Sequence, residues 1–284
     1  MRLLFVIPHY YRAREGLYGS ERPDPQPRMQ ALSATLLSLH QTFGAFQTTL
    51  GHRGERANGG LATALDIVVC TTAEDHVLNA VAPDLYQHEV CTAHPRLLGY
   101  ECHRVMRDRL GRYDYYCFVE DDLVISDALF FRKLAWFSDA AGEHCLLQPN
   151  RFEVAGTAPV RKLYIDGPLK PGLVDPALLR SSGRPTLQAR VMGEPIHFRL
   201  ADNPHSGCFF LNAKQMQHWV EQAHFLHRSV EFVGPLESAA SLGIMRSFSV
   251  YKPAPVNAAF LEVKHHDRRF LEGFVKFPEG FHVR

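Results

Sequence analysis

Residues 113–126, YDYYCFVEDDLVIS, constrain the fold more than any other stretch of this chain. Residues 115–119 are a short aromatic and β-branched run, the composition of a buried central strand. Glu120, Asp121 and Asp122 follow directly, and residues 123–125 resume the apolar pattern. Three crowded carboxylates at the end of a buried strand repel one another and cost desolvation, so packing gives no reason for them. A hard divalent cation would remove that cost by supplying positive charge to oxygen ligands. The plainer alternative is a solvated turn with a helix cap at Ser126 or Asp127. The position between two strongly apolar segments favours the cation.

The chain has 284 residues, enough for one large domain or two small ones with a sizeable core. A formal net charge of +1 argues against a nucleic-acid surface driven by bulk electrostatics. The six cysteines, Cys70, Cys91, Cys102, Cys117, Cys145 and Cys208, are scattered without a C-x-x-C pair. Several lie in apolar runs, where a thiol acts as a small buried hydrophobe; this favours a reducing compartment over a disulfide framework or a zinc ribbon. The N-terminal apolar run is too short for a secretory signal and lacks a small-residue cleavage site. No later segment approaches the length of a membrane span. The expectation is a cytoplasmic protein without a transmembrane segment, with peripheral membrane contact and oligomeric state left open.

Strands and helices alternate in the first half. Residues 3–8 (LLFVIP) read as a buried first strand. Residues 9–28 are polar, rich in Arg, Pro and Gly, and too long for a simple connector, which suits a ligand-binding loop or a covering flap. From Met29, helical spacing takes in Leu32, Leu36, Leu39 and Phe43, while residues 51–60 show no period. A second strand at 65–70 and a short third at 86–91 follow. An amphipathic helix over 95–110 then sets Leu98, Cys102, Val105 and Met106 opposite Arg104, Arg107 and Asp108. This is the pattern of a mainly parallel sheet covered on both faces, and in such sheets ligands gather at the carboxyl ends of strands.

Beyond the acidic run a helix is expected from Asp127, with strands at 145–148 and 160–165. Residues 166–195, rich in Gly, Pro and Ser, are expected to be mobile. The polar turn at 203–207 leads into an apolar strand at 208–212, with Asn212 placed to cap the next helix. Another helix starts at Pro235 with Glu237 in its first turn, a strand follows at 247–250, and the tail carries KHHDRR at 264–269.

Together, the LLFVIP strand, the unit ending in FVEDDLVI, the strand HSGCFFLN, the acidic helix start PLES and the late histidine pair resemble a GT-A glycosyltransferase. That is the nucleotide-sugar-dependent type with one Rossmann-like sheet. The likeness spans most of the chain as an order of elements, and only the EDD segment is a motif. It implies an α/β fold with a single, mainly parallel Rossmann-type sheet flanked by helices and a smaller mixed or antiparallel acceptor-side portion. It also implies one domain over residues 1–284, in which 1–126 bind the nucleotide sugar and 127–284 bind the acceptor and carry the catalytic base.

In that family the acidic motif holds Mn²⁺ or Mg²⁺ against the donor diphosphate. Carried over, Glu120, Asp121 and Asp122 stand where D-x-D stands, with Glu in place of the first Asp. Asp122 becomes the principal metal ligand, Glu120 lies near the ribose or the metal, and Asp121 joins the donor site. His265, ahead of His266, is the candidate C-terminal metal ligand, against a plain solvated HHDRR turn. Glu237 matches by place the helix-start carboxylate that deprotonates the acceptor hydroxyl in inverting members. Ser238 follows it where the family has Asp, and the helix dipole alone also favours a carboxylate there. Asp202 and His205 are its competitors. HSGCFFLN also resembles a strand of retaining members, so inversion is the first of two outcomes.

Pro8, His9, Tyr10 and Arg12 follow the first strand, where this fold holds the nucleotide; a ring there can stack on the base and an arginine can meet phosphate. Thr72 and Glu74 take the other nucleotide position, and Arg104 is a further diphosphate candidate. The implied partners are a nucleoside-diphosphate sugar and a carbohydrate or other hydroxyl acceptor, as in bacterial polysaccharide or glycolipid assembly, without nucleic acid.

Three rival classes have their own requirements. A sugar nucleotidyltransferase wants a Gly-rich phosphate loop after the first strand, and PHYYRAREG has a single glycine. A metal-dependent phosphohydrolase wants D-x-H or H-D pairs at early strand ends, and none follows an early strand. A non-catalytic nucleotide- or carbohydrate-binding domain differs in lacking turnover.

Overall fold

The strand β1 (Arg2–Pro8) divides the molecule by its alternation. Leu3, Phe5 and Ile7 enter one core cluster, Leu4 and Val6 another. The computed structural model describes residues 1–16, 19–51, 54–156, 160–169, 172 and 183–276. β2 (Ala64–Thr72), β3 (Gln87–Cys91) and β4 (Tyr115–Val119) run parallel to β1. The chain then passes through β5 (Leu123–Val124), β6 (Cys145–Leu147), β7 (Asn150–Val154), β8 (Lys162–Tyr164), β9 (Thr186–Val191) and β10 (Glu194–Leu200). Next β11 (Cys208–Asn212) returns to pair antiparallel with β4, giving the order β11-β4-β1-β2-β3. Since β2 and β3 lie on one side of β1 and β4 on the other, the direction of winding reverses between β1 and β4. That reversal is the switch point at which open α/β sheets bind ligands.

Helices cover both faces. α1 (Gln26–Phe43) and α3 (Phe130–Ala141) pack Leu32, Leu36, Leu39, Phe131 and Leu134 into the cluster around Phe5. α2 (Leu98–Asp108), α4 (Ala213–Val220) and α5 (Pro235–Ser247) bring Cys102, Met106, Trp219 and Ile244 to the opposite cluster. With β12 (Ser249–Pro253) and β13 (Glu262–His265), two smaller sheets form, ordered β6-β12-β10-β9 and β5-β13-β7-β8, each of mixed direction. A last helix, α6 (Arg269–Lys276), touches β7. The expected α/β architecture, one mainly parallel Rossmann-type sheet flanked by helices with a smaller mixed portion, is the one observed. All six cysteines are free, and no helix among the described residues is long and apolar enough to cross a membrane.

Several boundaries differ from expectation for local reasons. α1 begins three residues before Met29, with Pro27 in its first turn. The helix expected at Asp127 starts at Phe130, because the Asp127 side chain accepts the Leu129 N–H at 2.9 Å and so precedes the helix. The Gly-, Pro- and Ser-rich stretch 166–195 runs into regular structure: β9 and β10 form a hairpin over Thr186–Leu200, turning at Met192 and Gly193, both at positive φ. Residues 170–171 and 173–182 of that stretch, and 52–53 of the 51–60 loop, lie outside the described residues. The capping box at Asn212, closed by Gln215, forms as the sequence requires.

Candidate functional site

The fully buried run Tyr115–Val119 ends at the switch point, and the acidic motif turns there. The turn is held on one side by Gly207, the residue just before β11, whose carbonyl accepts the Glu120 N–H at 2.9 Å. Gly207 has φ +62, and a Cβ on it would lie 2.6 Å from the Glu120 carboxylate, so this position needs a glycine on both counts. On the other side β5 pairs antiparallel with β13, placing His265 opposite Leu123. That register carries the His265 ring to Asp122: Nε2 lies 3.6 Å from Asp122 Oδ2. The other ring nitrogen, Nδ1, donates to Glu153 at 2.8 Å, and Glu153 also accepts the Leu271 N–H at 2.7 Å. His266 gives its backbone N–H to the Asp122 carbonyl at 2.8 Å.

Each carboxylate of the motif has a different environment. Burial raises Glu120 to about 8, with Asp122 and Glu237 adding to the effect and Arg151 opposing it. Asp121 accepts the His9 Nδ1–H at 2.5 Å and forms an ion pair with Arg28. Val77 N–H donates to His9 Nε2, which fixes the tautomer, and burial depresses His9, so it meets Asp121 as a neutral donor. Burial works against the Asp122 charge, but His265, Arg28 and Arg151 hold its carboxyl well below the usual range. Burial would likewise depress His265; Asp122 and Glu153 outweigh it and lift the imidazole to about 10. The cations of the chain thus supply part of the compensation that the sequence argument assigned wholly to a divalent ion.

A second buried set of charges stands behind Glu120. Arg151 Nε donates to Asp166 at 2.8 Å while its NH1 lies 3.9 Å from Glu120. Lys252, 2 % exposed, donates to Asp166 at 2.9 Å and to the His205 carbonyl at 2.7 Å. Burial opposes the Asp166 charge, and the two cations hold it well below the carboxylate range. Asp166 and Lys252 also line a cavity of about 150 Å³ with Arg199, Asp202 and Asn203.

The remaining predicted residues fall as follows. Glu237 is half-buried in the first turn of α5, near enough to Glu120 to raise it. His205 is buried, with Nδ1 3.2 Å from Ser241 Oγ, and burial with the nearby Arg151 keeps it well below its ordinary value. Asp202 faces the cavity and is exposed. Pro8 ends β1 beside Cys70, His9 touches the motif, and half-buried Tyr10 packs on the α2-side cluster. Arg12 pairs with Asp75 at 3.0 Å, Thr72 ends β2 with its hydroxyl buried and unpartnered, and Glu74 is exposed just after. Arg104 is engaged by Glu89, Glu101 and Asp108.

Sequence reasoning missed Arg28, Arg151, Glu153, Asp166 and Lys252. Arg28 had a signal: it stands four residues before Leu32, at the position where the apolar stripe of α1 would continue. The other four have none, since their partners come from remote segments.

No protein-family model matches the chain, and no curated protein sequence matches it. Among solved structures, S. aureus TarS is similar over 97% of this chain and 38% of its own, at 11% identity and a TM-score of 0.38. TarS 1–349 in complex with UDP-GlcNAc is similar over 53% of this chain and 35% of its own, at 14% identity and a TM-score of 0.29. A second structure of TarS 1–349 is similar over 57% of this chain and 39% of its own, at 14% identity and a TM-score of 0.29. The chain therefore spans about two fifths or less of the length of these structures.

Proposed function

We propose that the chain is a nucleotide-sugar glycosyltransferase, moving a sugar from a nucleoside-diphosphate donor to a hydroxyl acceptor with Mn²⁺ or Mg²⁺ as cofactor. One observation carries this reading. At the switch point between β1 and β4 the acidic motif meets His265, whose Nε2 lies 3.6 Å from Asp122 while Glu153 fixes the ring from its far side. A solvated, inert turn has no use for that convergence.

Asp122 and His265 would hold the ion, His265 after giving up the Nε2 proton it carries beside Asp122. Asp122 Oδ1 is buried with no partner, and Glu153 fixes the His265 ring from its far side, the outer arrangement that orients metal-binding histidines. Among the described residues no group of three or more His, Cys, Asp or Glu is arranged to hold a metal ion. The pair therefore suits an ion that takes its other ligands from the donor diphosphate and water. When bound, the ion stabilises negative charge on the departing nucleoside diphosphate.

The chain supplies the rest. His9 and Arg28 fix Asp121 at the floor of the site. Pro8, Tyr10, Arg12, Thr72 and Glu74, at the ends of β1 and β2, surround the nucleotide position. Glu237 takes the proton of the acceptor hydroxyl, the step expected of an inverting enzyme. Residues 1–126 then form the donor side and 127–284 the acceptor side, a functional division, since β11 from the second part completes the first sheet. Glu237→Gln is expected to lower transfer by about 10²–10⁴-fold while donor affinity stays unchanged. Release of nucleoside diphosphate in the presence of acceptor reads the first and calorimetry the second; normal transfer rates would remove Glu237 as the base.

A further inference from the structure

The polar loop after β1 ends at an arginine whose hydrogen-bonding capacity is largely unused. The Arg28 side chain is 15 % exposed in the first turn of α1. One terminal nitrogen pairs with Asp121, the other lies 3.5 Å from Asp122 Oδ2, and Nε is buried without a partner. A guanidinium carries five N–H donors, and an unsatisfied donor on a buried side chain calls for an explanation.

The surroundings indicate which way an acceptor would come. Asp121 is 1 % exposed and its other oxygen is taken by His9, so this side is closed. Asp122, 20 % exposed, and Arg28 form the open rim of the same cluster. An anion entering at the carboxyl ends of β1 and β4 meets a cation that the acidic motif already holds in position.

We propose that Arg28 is a binding residue for the diphosphate of the donor, anchored by Asp121 and presenting its remaining donors to phosphate oxygens. This rests on the nucleotide-sugar reading above. A planar fork of donors suits two neighbouring phosphate oxygens better than a lysine ammonium does. Asp121 then has a task of its own within the motif: it orients Arg28, while Asp122 keeps Oδ1 for other partners.

Calorimetric titration of the wild-type chain, R28Q and R28K with inorganic pyrophosphate, first in chelator and then with Mn²⁺, tests this. R28Q is expected to bind pyrophosphate at least about tenfold more weakly in both conditions, the scale of a charged hydrogen bond. Its affinity for Mn²⁺ alone should not fall. R28K keeps the charge beside Asp121 and should lose about threefold or more, which reads out the fork even if R28Q does not fold. Wild-type affinity for pyrophosphate in a folded R28Q, or in R28K where R28Q fails to fold, would show that Arg28 only neutralises carboxylates and overturns the proposal. If the wild-type chain itself binds no pyrophosphate with or without Mn²⁺, the nucleotide-sugar reading falls with it.

Discussion

Asp122 has two oxygens in unlike circumstances: Oδ2 faces Arg28 and His265, while Oδ1 is buried without a partner. What keeps the His265 ring turned toward it is Glu153, fully buried and bonded to both the ring and the Leu271 N–H. Glu153 is thus a positioning residue. Glu153→Gln should weaken Mn²⁺ binding by about 10–100-fold, measured by calorimetry on the metal alone. A variant with undiminished Mn²⁺ affinity and only a lower Tm would assign Glu153 to the fold. At this scale the sequence was legible where residues stand next to one another, as in the EDD run and the histidine pair. It was not legible for Asp166 with Lys252, or Glu153 with His265, because a buried charge finds its partner through tertiary pairing that spacing does not encode. The cost of burying such charges also explains why these residues occur only in mutually satisfied sets.

The elements that position the site depend on two close approaches. Gly207 lets β11 pass against Glu120, and Gly99 lets α2 pack on α5, where an added Cβ would lie 2.4 Å from the Ala239 Cβ. Neither helix yields easily, since Phe118 of β4 lies beneath Gly99. Gly99→Ala should therefore destabilise the protein by about 1–3 kcal/mol, the usual cost of overpacking. Thermal unfolding checks this, with a Tm lowered by several degrees expected; an unchanged Tm would mean that α2 shifts freely on the sheet. Most elements were readable from the sequence: β1, β2 and β4 as continuous apolar runs, α2 as an amphipathic helix, α5 from Pro235. The β9–β10 hairpin carried a period-2 signal as well, Leu187, Ala189 and Val191 alternating with Thr186, Gln188 and Arg190, but Gly- and Pro-rich neighbours obscured it. β7, reading NRFEV, lacks an apolar pattern because its Arg and Glu are inward-facing members of the site.

Across the whole molecule, the main sheet presents the motif and the small sheets close around it. β13 delivers His265 by its pairing with β5, and β7 beside it delivers Arg151 and Glu153. The resulting site belongs to no single segment, which is why an order of elements suggested a glycosyltransferase while the charge network became visible only in three dimensions. In the proposed function this site binds a nucleoside diphosphate together with a divalent cation. The most direct measurement is the Tm of the wild-type chain and of Asp122→Ala with each of UDP, GDP, CDP, ADP and dTDP, with and without Mn²⁺. One nucleotide is expected to raise the wild-type Tm in a Mn²⁺-dependent way, about 2.7 kcal/mol of stabilisation at a hundredfold excess over Kd. Asp122→Ala should melt cooperatively and lose the Mn²⁺-dependent part. A wild-type chain that responds to none of the nucleotides, or an Asp122→Ala chain that responds as the wild type does, would contradict the proposed function.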